Sequence, residues 1–272
     1  MRFRSVRRRL TVTTLAYLIA MLLVAGSPTI AAAAVTAPPA STAPSTARFQ
    51  APQPKPTTSF EAWFEVEQPP TVPFEAVQLV VDFPVGSGVA RHFHGGPAYI
   101  TMLEGEMRMS IGNGEFKTYP AGTSFVEPYE VVAEGANPSS SAASLLVTYL
   151  LPVGAAVTTL EQSTALAGPL PPGAVPRYET RMRFDAAPSG RYKVGQMLQT
   201  YEPGAWSVSG APAASRLVTV VSGEVTVLTG ASQQTYTTGQ HWIETPEKAW
   251  LSGNQGSTPA VVAVSTTAPA GD

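Results

Sequence analysis

The 272-residue chain holds three histidines, and two of them, His92 and His94, stand one residue apart in RHFHGG, residues 91–96. On a β-strand the side chains at i and i+2 share a face, so both imidazoles can look into one cavity. Two imidazoles on one face could take part in a metal site. Imidazole is a common ligand for transition metals, though two alone rarely hold a divalent ion against water. The plainer alternative is a pair of inward imidazoles that hydrogen-bond to each other, to Tyr99 or to water, and so shape a polar pocket.

The surrounding chain must supply strands to carry such a site, and it does. Hydrophobic residues make up 44% and charged residues 13%, with 23 Gly and 26 Pro, a balance suited to a turn-rich β protein with a dry core. Short apolar or alternating runs bounded by turn residues read as strands: AVQLVVDF, AYITMLEGEMRMSI, TSFVEP and SLLVTYLL. GNG at 112–114 reads as a hairpin turn. The best helical candidate is a short turn within VTTLEQSTALAG, 157–168. The net charge of −2, with no basic patch in the globular part, argues against nucleic acid as a partner. The lack of cysteine excludes disulfides, thiol catalysis, iron–sulfur clusters and zinc-thiolate sites.

The basic start MRFRSVRRRL and the apolar run Leu15 to Gly26, followed by IAAAAV, read as a signal peptide over residues 1–34. The run is short for a membrane anchor and is interrupted at Ser27-Pro28. Residues 35–58 are mostly Pro, Ala, Ser and Thr and read as a disordered linker, because they offer too little apolar surface to offset ordering entropy. The expected location is outside the cytoplasm: extracellular, cell-wall or periplasmic, with no membrane contact after leader cleavage.

The second half of the mature chain replays the first. ITMLEGEMRM (100–109) aligns with VTVVSGEVTV (218–227) at an offset of 118, which places Gly105 on Gly223 and Gln78 on Gln196. After one residue is lost in a turn, TYPAGTSFVEP (118–128) aligns with TYTTGQHWIET (235–245), and Asn137 falls on Asn254. The expected organisation is a first β domain at 59–156, a linker at 157–176 and a second, degenerate β domain at 177–272.

These residues resemble the cupin superfamily, and the pair of repeats resembles a bicupin. Gly86, His92, His94 and Gly105 match the first cupin motif, and Gly114, Pro120, Gly122 and Asn137 match the second. The resemblance implies an all-β protein of two tandem jelly-roll barrels, each with a cavity inside. It also implies a site for Fe, Mn, Ni, Cu or Zn, and a homodimer as a common assembly.

The chain departs from the family pattern at two ligands. The family glutamate falls on Ala98 and the third histidine on Ala133. Glu104, Glu127, Glu130 and Glu134 are the acidic side chains nearby, and none has the family spacing. Glu127 precedes Pro128, and its face is not fixed by sequence. In the second repeat Gly210 and Pro212 replace the two histidines, Arg216 stands at the carboxylate position and Trp250 at the third histidine. Trp250 either plugs a closed barrel or stacks on a ligand that Arg216 holds. His241 aligns with Ser124, outside the ligand positions. No nucleophile elbow, phosphate loop or dinucleotide fingerprint is present, and Glu104, Glu106 and Glu127 either offer paired carboxylates for glycosidase chemistry or, as is usual in β proteins, are solvated rim residues.

The sequence therefore favours an exported protein that binds a small molecule such as a sugar, phenolic or small acid. His92, His94 and Tyr99 would shape the pocket of the first barrel, and Arg216 and Trp250 that of the second, with little or no catalysis. The alternative is a metal-dependent, dioxygenase-like enzyme in which His92 and His94 are completed by a non-standard third ligand.

Overall fold

The computed structural model describes residues 53–67, 70–161, 173–186, 190–208 and 210–270. The signal peptide and most of the linker expected from the sequence lie outside them. The described residues form eighteen strands and no helix. The first ten are β1 (Thr57–Glu65), β2 (Phe74–Phe83), β3 (Gly88–Phe93), β4 (Ala98–Glu104), β5 (Glu106–Ile111), β6 (Lys117–Pro120), β7 (Ser124–Glu127), β8 (Ala133–Ala136), β9 (Ala143–Pro152) and β10 (Thr159–Leu160). The other eight are β11 (Val175–Phe184), β12 (Tyr192–Tyr201), β13 (Arg216–Ser222), β14 (Glu224–Thr229), β15 (Ser232–Thr237), β16 (His241–Glu244), β17 (Leu251–Gly253) and β18 (Ala260–Pro269).

In the first half β2 pairs with β9, β3 with β8, β4 with β7 and β5 with β6, all antiparallel. Such nested pairs are one long hairpin rolled up, and they place β2-β9-β4-β7 in one sheet and β3-β8-β5-β6 in the facing sheet. That order is a jelly roll. Alternation along the strands fills the space between the sheets: Val77, Leu79, Val81 and Phe83 from β2 meet Ile100 and Met102 from β4 and Leu145, Val147 and Tyr149 from β9.

The second half repeats this layout, with β12-β18-β13-β16 in one sheet and β15-β14-β17 in the other. The sequence offset survives strand by strand. Gly105 and Gly223 both turn at positive φ, 67° and 78°. An added Cβ at either would meet backbone at 2.5–2.8 Å, so only glycine fits. Asn137 and Asn254 make the same clamp. The first donates Nδ2 to Phe83 O at 3.0 Å and Ser141 O at 2.8 Å, the second to Tyr201 O and Thr258 O at 2.8 Å.

Two features differ from the sequence expectation. The strand that opens each repeat lies on the sheet of the other: β1 pairs with β12, and β11 pairs with β2. The repeats therefore exchange strands. Residues near the ends of the expected linkers are also ordered. Pro54 O accepts a bond from Trp206 N at 2.8 Å, and Thr57 and Thr58 already belong to β1. Thr159 and Leu160, at the start of the helical candidate, form a short strand against β3, and residues 162–168 of that candidate lie outside the described residues.

Candidate metal centre

His92 lies on β3, and His94 follows just after its end. Strand alternation keeps them on one face, with ring centroids 4.8 Å apart, and each is 3% exposed. The glycines that follow are a packing requirement. A Cβ on Gly96 would sit 2.0 Å from Leu150 O, and one on Gly95 would sit 2.7 Å from Ala156 O. The chain leaves β3 by running tight against β9 and against residues 155–157. Val157 O and Ala90 O then fix the rings. His94 Nδ1 donates to Val157 O at 2.7 Å, and His92 Nδ1 donates to Ala90 O at 2.8 Å. With both Nδ1 atoms committed as donors, both Nε2 atoms are left to face inward.

They face Glu127, on β7 and 2% exposed. Its Oε2 lies 2.7 Å from His94 Nε2 and 3.5 Å from His92 Nε2. The sequence expectation of an incomplete donor set is corrected here. The family carboxylate position is Ala98, and Ala98 is the direct cross-strand partner of Glu127 in the β4–β7 ladder. Paired residues in an antiparallel ladder project to the same face with Cβ atoms about 5 Å apart. The carboxylate has moved one strand over and still reaches the cavity. Ala133 is likewise the cross-strand partner of His92 and brings only a methyl group. Glu134 is turned away and pairs with Arg91 at 3.6 Å.

Donor atoms of His92, His94 and Glu127 lie within 4.8 Å of one another, and all three residues are buried. These three residues would hold one ion between them, and the donor types suit a transition metal. Burial alone pushes the Glu127 carboxyl up. The hydrogen bonds and charge of His92 and His94 outweigh it and hold the group at about 2. For His92, burial lowers the imidazole value, and the hydrogen bond and charge of Glu127 overcome it and leave it raised. The Tyr149 ring stands edge-on to His94, with centroids 4.9 Å apart. Burial, reinforced by the Glu127 charge, pushes its phenol far up, so it stays neutral.

Residues 155–161 run across this site. Besides Val157 O on His94, Gly95 N donates to Ala156 O, Glu161 N donates to Arg91 O, and the Arg91 guanidinium pairs with Glu161 at 2.5 Å. Tyr99 does not reach the histidines. It lies on the other face of β4, against Phe64 with ring centroids 5.3 Å apart.

In the second barrel Glu244 occupies the place of Glu127, one repeat later. Arg216, the counterpart of Ala98, is its cross-strand partner, and Arg216 Nη1 lies 3.5 Å from Glu244 Oε2. Trp242 Nε1 donates to Glu244 Oε1 at 3.1 Å. Trp250 does not plug the barrel. Its indole is held to Thr245 O at 3.1 Å and walls a cavity of about 330 Å³ that Arg216 also lines. His241 is exposed at the start of β16.

No family model matches the chain, and no curated protein matches it. Solved structures similar to it include AerE from Microcystis aeruginosa, 12% identical, covering 79% of this chain and 98% of that one with a TM-score of 0.48. A cupin 2 conserved barrel domain protein from Leptotrichia buccalis is 9% identical, covering 77% of this chain and 90% of that one with a TM-score of 0.39. Lactobacillus farciminis oxalate decarboxylase in its formate complex is 11% identical, covering 71% of this chain and 76% of that one with a TM-score of 0.49. The strand pairing described above, not likeness at this level, defines the fold as two tandem cupin-type barrels.

Proposed function

We propose that the first barrel holds one divalent transition metal through His92 Nε2, His94 Nε2 and a Glu127 carboxylate oxygen, and acts through it on a small molecule. The observation that carries this reading is the state of the three acceptors. Both Nδ1 atoms donate to backbone carbonyls, so two imidazole lone pairs and a carboxylate converge in a buried space. Acceptors 2.7 Å apart need a shared proton or a cation between them. Two histidines and one carboxylate with Nδ1–H anchored to backbone are a donor set that suits Fe(II), and also Mn, Ni, Cu or Zn.

When bound, such a metal supplies Lewis acidity or, if redox-active, oxygen chemistry. The chain's own residues orient and enclose. Ala90 O and Val157 O set the ring planes, Glu127 sets the charge, and Tyr149 with the surrounding Leu, Val and Met side chains excludes water. Ala98 and Ala133 present only methyl groups beside the donors. Residues 155–161 lie against the site through Val157 O on His94 and Ala156 O on Gly95 N. The reading extends to an exported protein, supported by the basic leader and the apolar run after it.

The test is metal content after anaerobic loading with each ion in turn and removal of free ion. The expected result is about one ion per chain for at least one metal, with strong losses in His92→Ala, His94→Ala and Glu127→Ala. Failure of every ion to remain with the folded wild-type chain overturns the reading. It would leave a buried imidazolium–carboxylate cluster of purely structural use.

A further inference from the structure

We infer that the second barrel is a separate, metal-independent binding site for a small, flat organic monocarboxylate. This inference stands apart from the metal reading, because the second barrel has exchanged its imidazoles for a different chemistry. Gly210 and Pro212 occupy the histidine positions, and a Cβ built on Gly210 meets nothing within 4 Å. The space that imidazoles fill in the first barrel is open in the second, within a cavity of about 330 Å³. That volume lies at the small end of ligand cavities, about 300–1,000 Å³.

The charge in this cavity is unbalanced. Arg216 and Lys55 line it, against the single carboxylate of Glu244. Among the described residues the only carboxylate partner of Arg216 is Glu244, at 3.5 Å, longer than a good hydrogen bond. Lys55 pairs with no carboxylate among the described residues. Glu244 is already engaged by the Trp242 indole N–H. Glu244 therefore steadies the guanidinium without consuming its N–H fork, which is built for a bidentate carboxylate. One positive charge remains in excess, which matches a monoanion.

The remaining walls choose the body of that anion. Trp250 and Trp242 line the cavity with Tyr201, and the Trp250 ring is fixed through Thr245 O. Rigid aromatic walls beside an underused guanidinium favour a planar apolar body carrying one carboxylate. A bare inorganic anion would leave that surface wet. A sugar would leave the excess charge unanswered.

The experiment titrates the full mature chain, stripped of metal by chelation, with cinnamate and benzoate, and in parallel with cinnamyl alcohol and benzyl alcohol. Two of the four tryptophans line the cavity, so indole emission reports occupancy. Each acid is expected to bind roughly ten- to hundredfold more tightly than its alcohol, the usual worth of a charge-assisted pair. Arg216→Gln is expected to remove that preference while the alcohols bind as before. The acid-versus-alcohol comparison in the wild-type chain needs no variant and stands if Arg216→Gln fails to fold. Equal binding of acid and alcohol overturns the inference. So does no binding of either acid at millimolar concentration, or acid binding undiminished in a folded Arg216→Gln.

Discussion

Gln78 and Gln196 are buried, occupy equivalent places in the two repeats, and each is satisfied by the opposite barrel. Gln78 donates Nε2 to Leu217 O at 3.3 Å and Ser265 Oγ at 2.8 Å, and its Oε1 accepts from Thr219 at 2.5 Å. Gln196 donates to Tyr99 O at 2.9 Å and Thr148 Oγ1 at 2.8 Å, and its Oε1 accepts from Thr101 at 2.6 Å. Thr148 and Ser265 meet at 2.7 Å between them. The two sheets are joined by a polar network with pseudo-twofold symmetry, and every member of it has a partner.

Removing either amide should orphan buried carbonyl and hydroxyl groups. Gln78→Ala and Gln196→Ala are each expected to destabilise by about 2–3 kcal/mol. The double variant should lose less than the sum, because both amides lean on the Thr148–Ser265 pair. Chemical denaturation of the four proteins gives the cycle. Strict additivity would mean that the network is not coupled.

Strand exchange makes a second prediction. Since β1 completes the second barrel and β11 the first, a chain divided at residue 166 should yield fragments that fold only together. Co-expressed fragments should co-purify, and each alone should be largely unfolded by circular dichroism. A stably folded 167–272 fragment would contradict the pairing.

Ala133 faces His92 across the β3–β8 ladder and is 1% exposed. Ala133→His should add a donor and slow metal loss to a chelator. The cost should be about 1–3 kcal/mol of overpacking in a tight interior. A folded variant that releases metal as fast as the wild type would show that position 133 does not address the site.

The metal-free triad also sets a pH dependence. Glu127 is depressed from 4.5 to about 2, so its contribution is present above 4.5 and lost as pH falls toward 2. His92 is raised from 6.5, so its contribution is complete below 6.5 and lost as pH rises through the raised value. The metal-free protein should be most stable between about pH 4.5 and pH 6.5. Metal loading should reverse the alkaline side, since ligation needs neutral imidazole. Melting temperatures with and without metal decide it. An alkaline limb unchanged by metal would count against His92 as a ligand.

The strands were legible in the sequence because their evidence is local: alternation, turn glycines at Gly105 and Gly223, and an offset of 118 that becomes 117. His92 and His94 were legible for the same reason, since i and i+2 on a strand fix a shared face without reference to anything distant. The third donor was not. Glu127 reaches the histidines because β7 pairs with β4 in a register that sets it opposite Ala98, and register belongs to two strands whose paired residues lie 23 to 29 positions apart. Only the folded chain could also decide that β1 and β11 change barrels, or that Trp250 walls a cavity instead of filling it. Each depends on which surfaces meet across the sheets, and a sequence read one segment at a time carries no record of that.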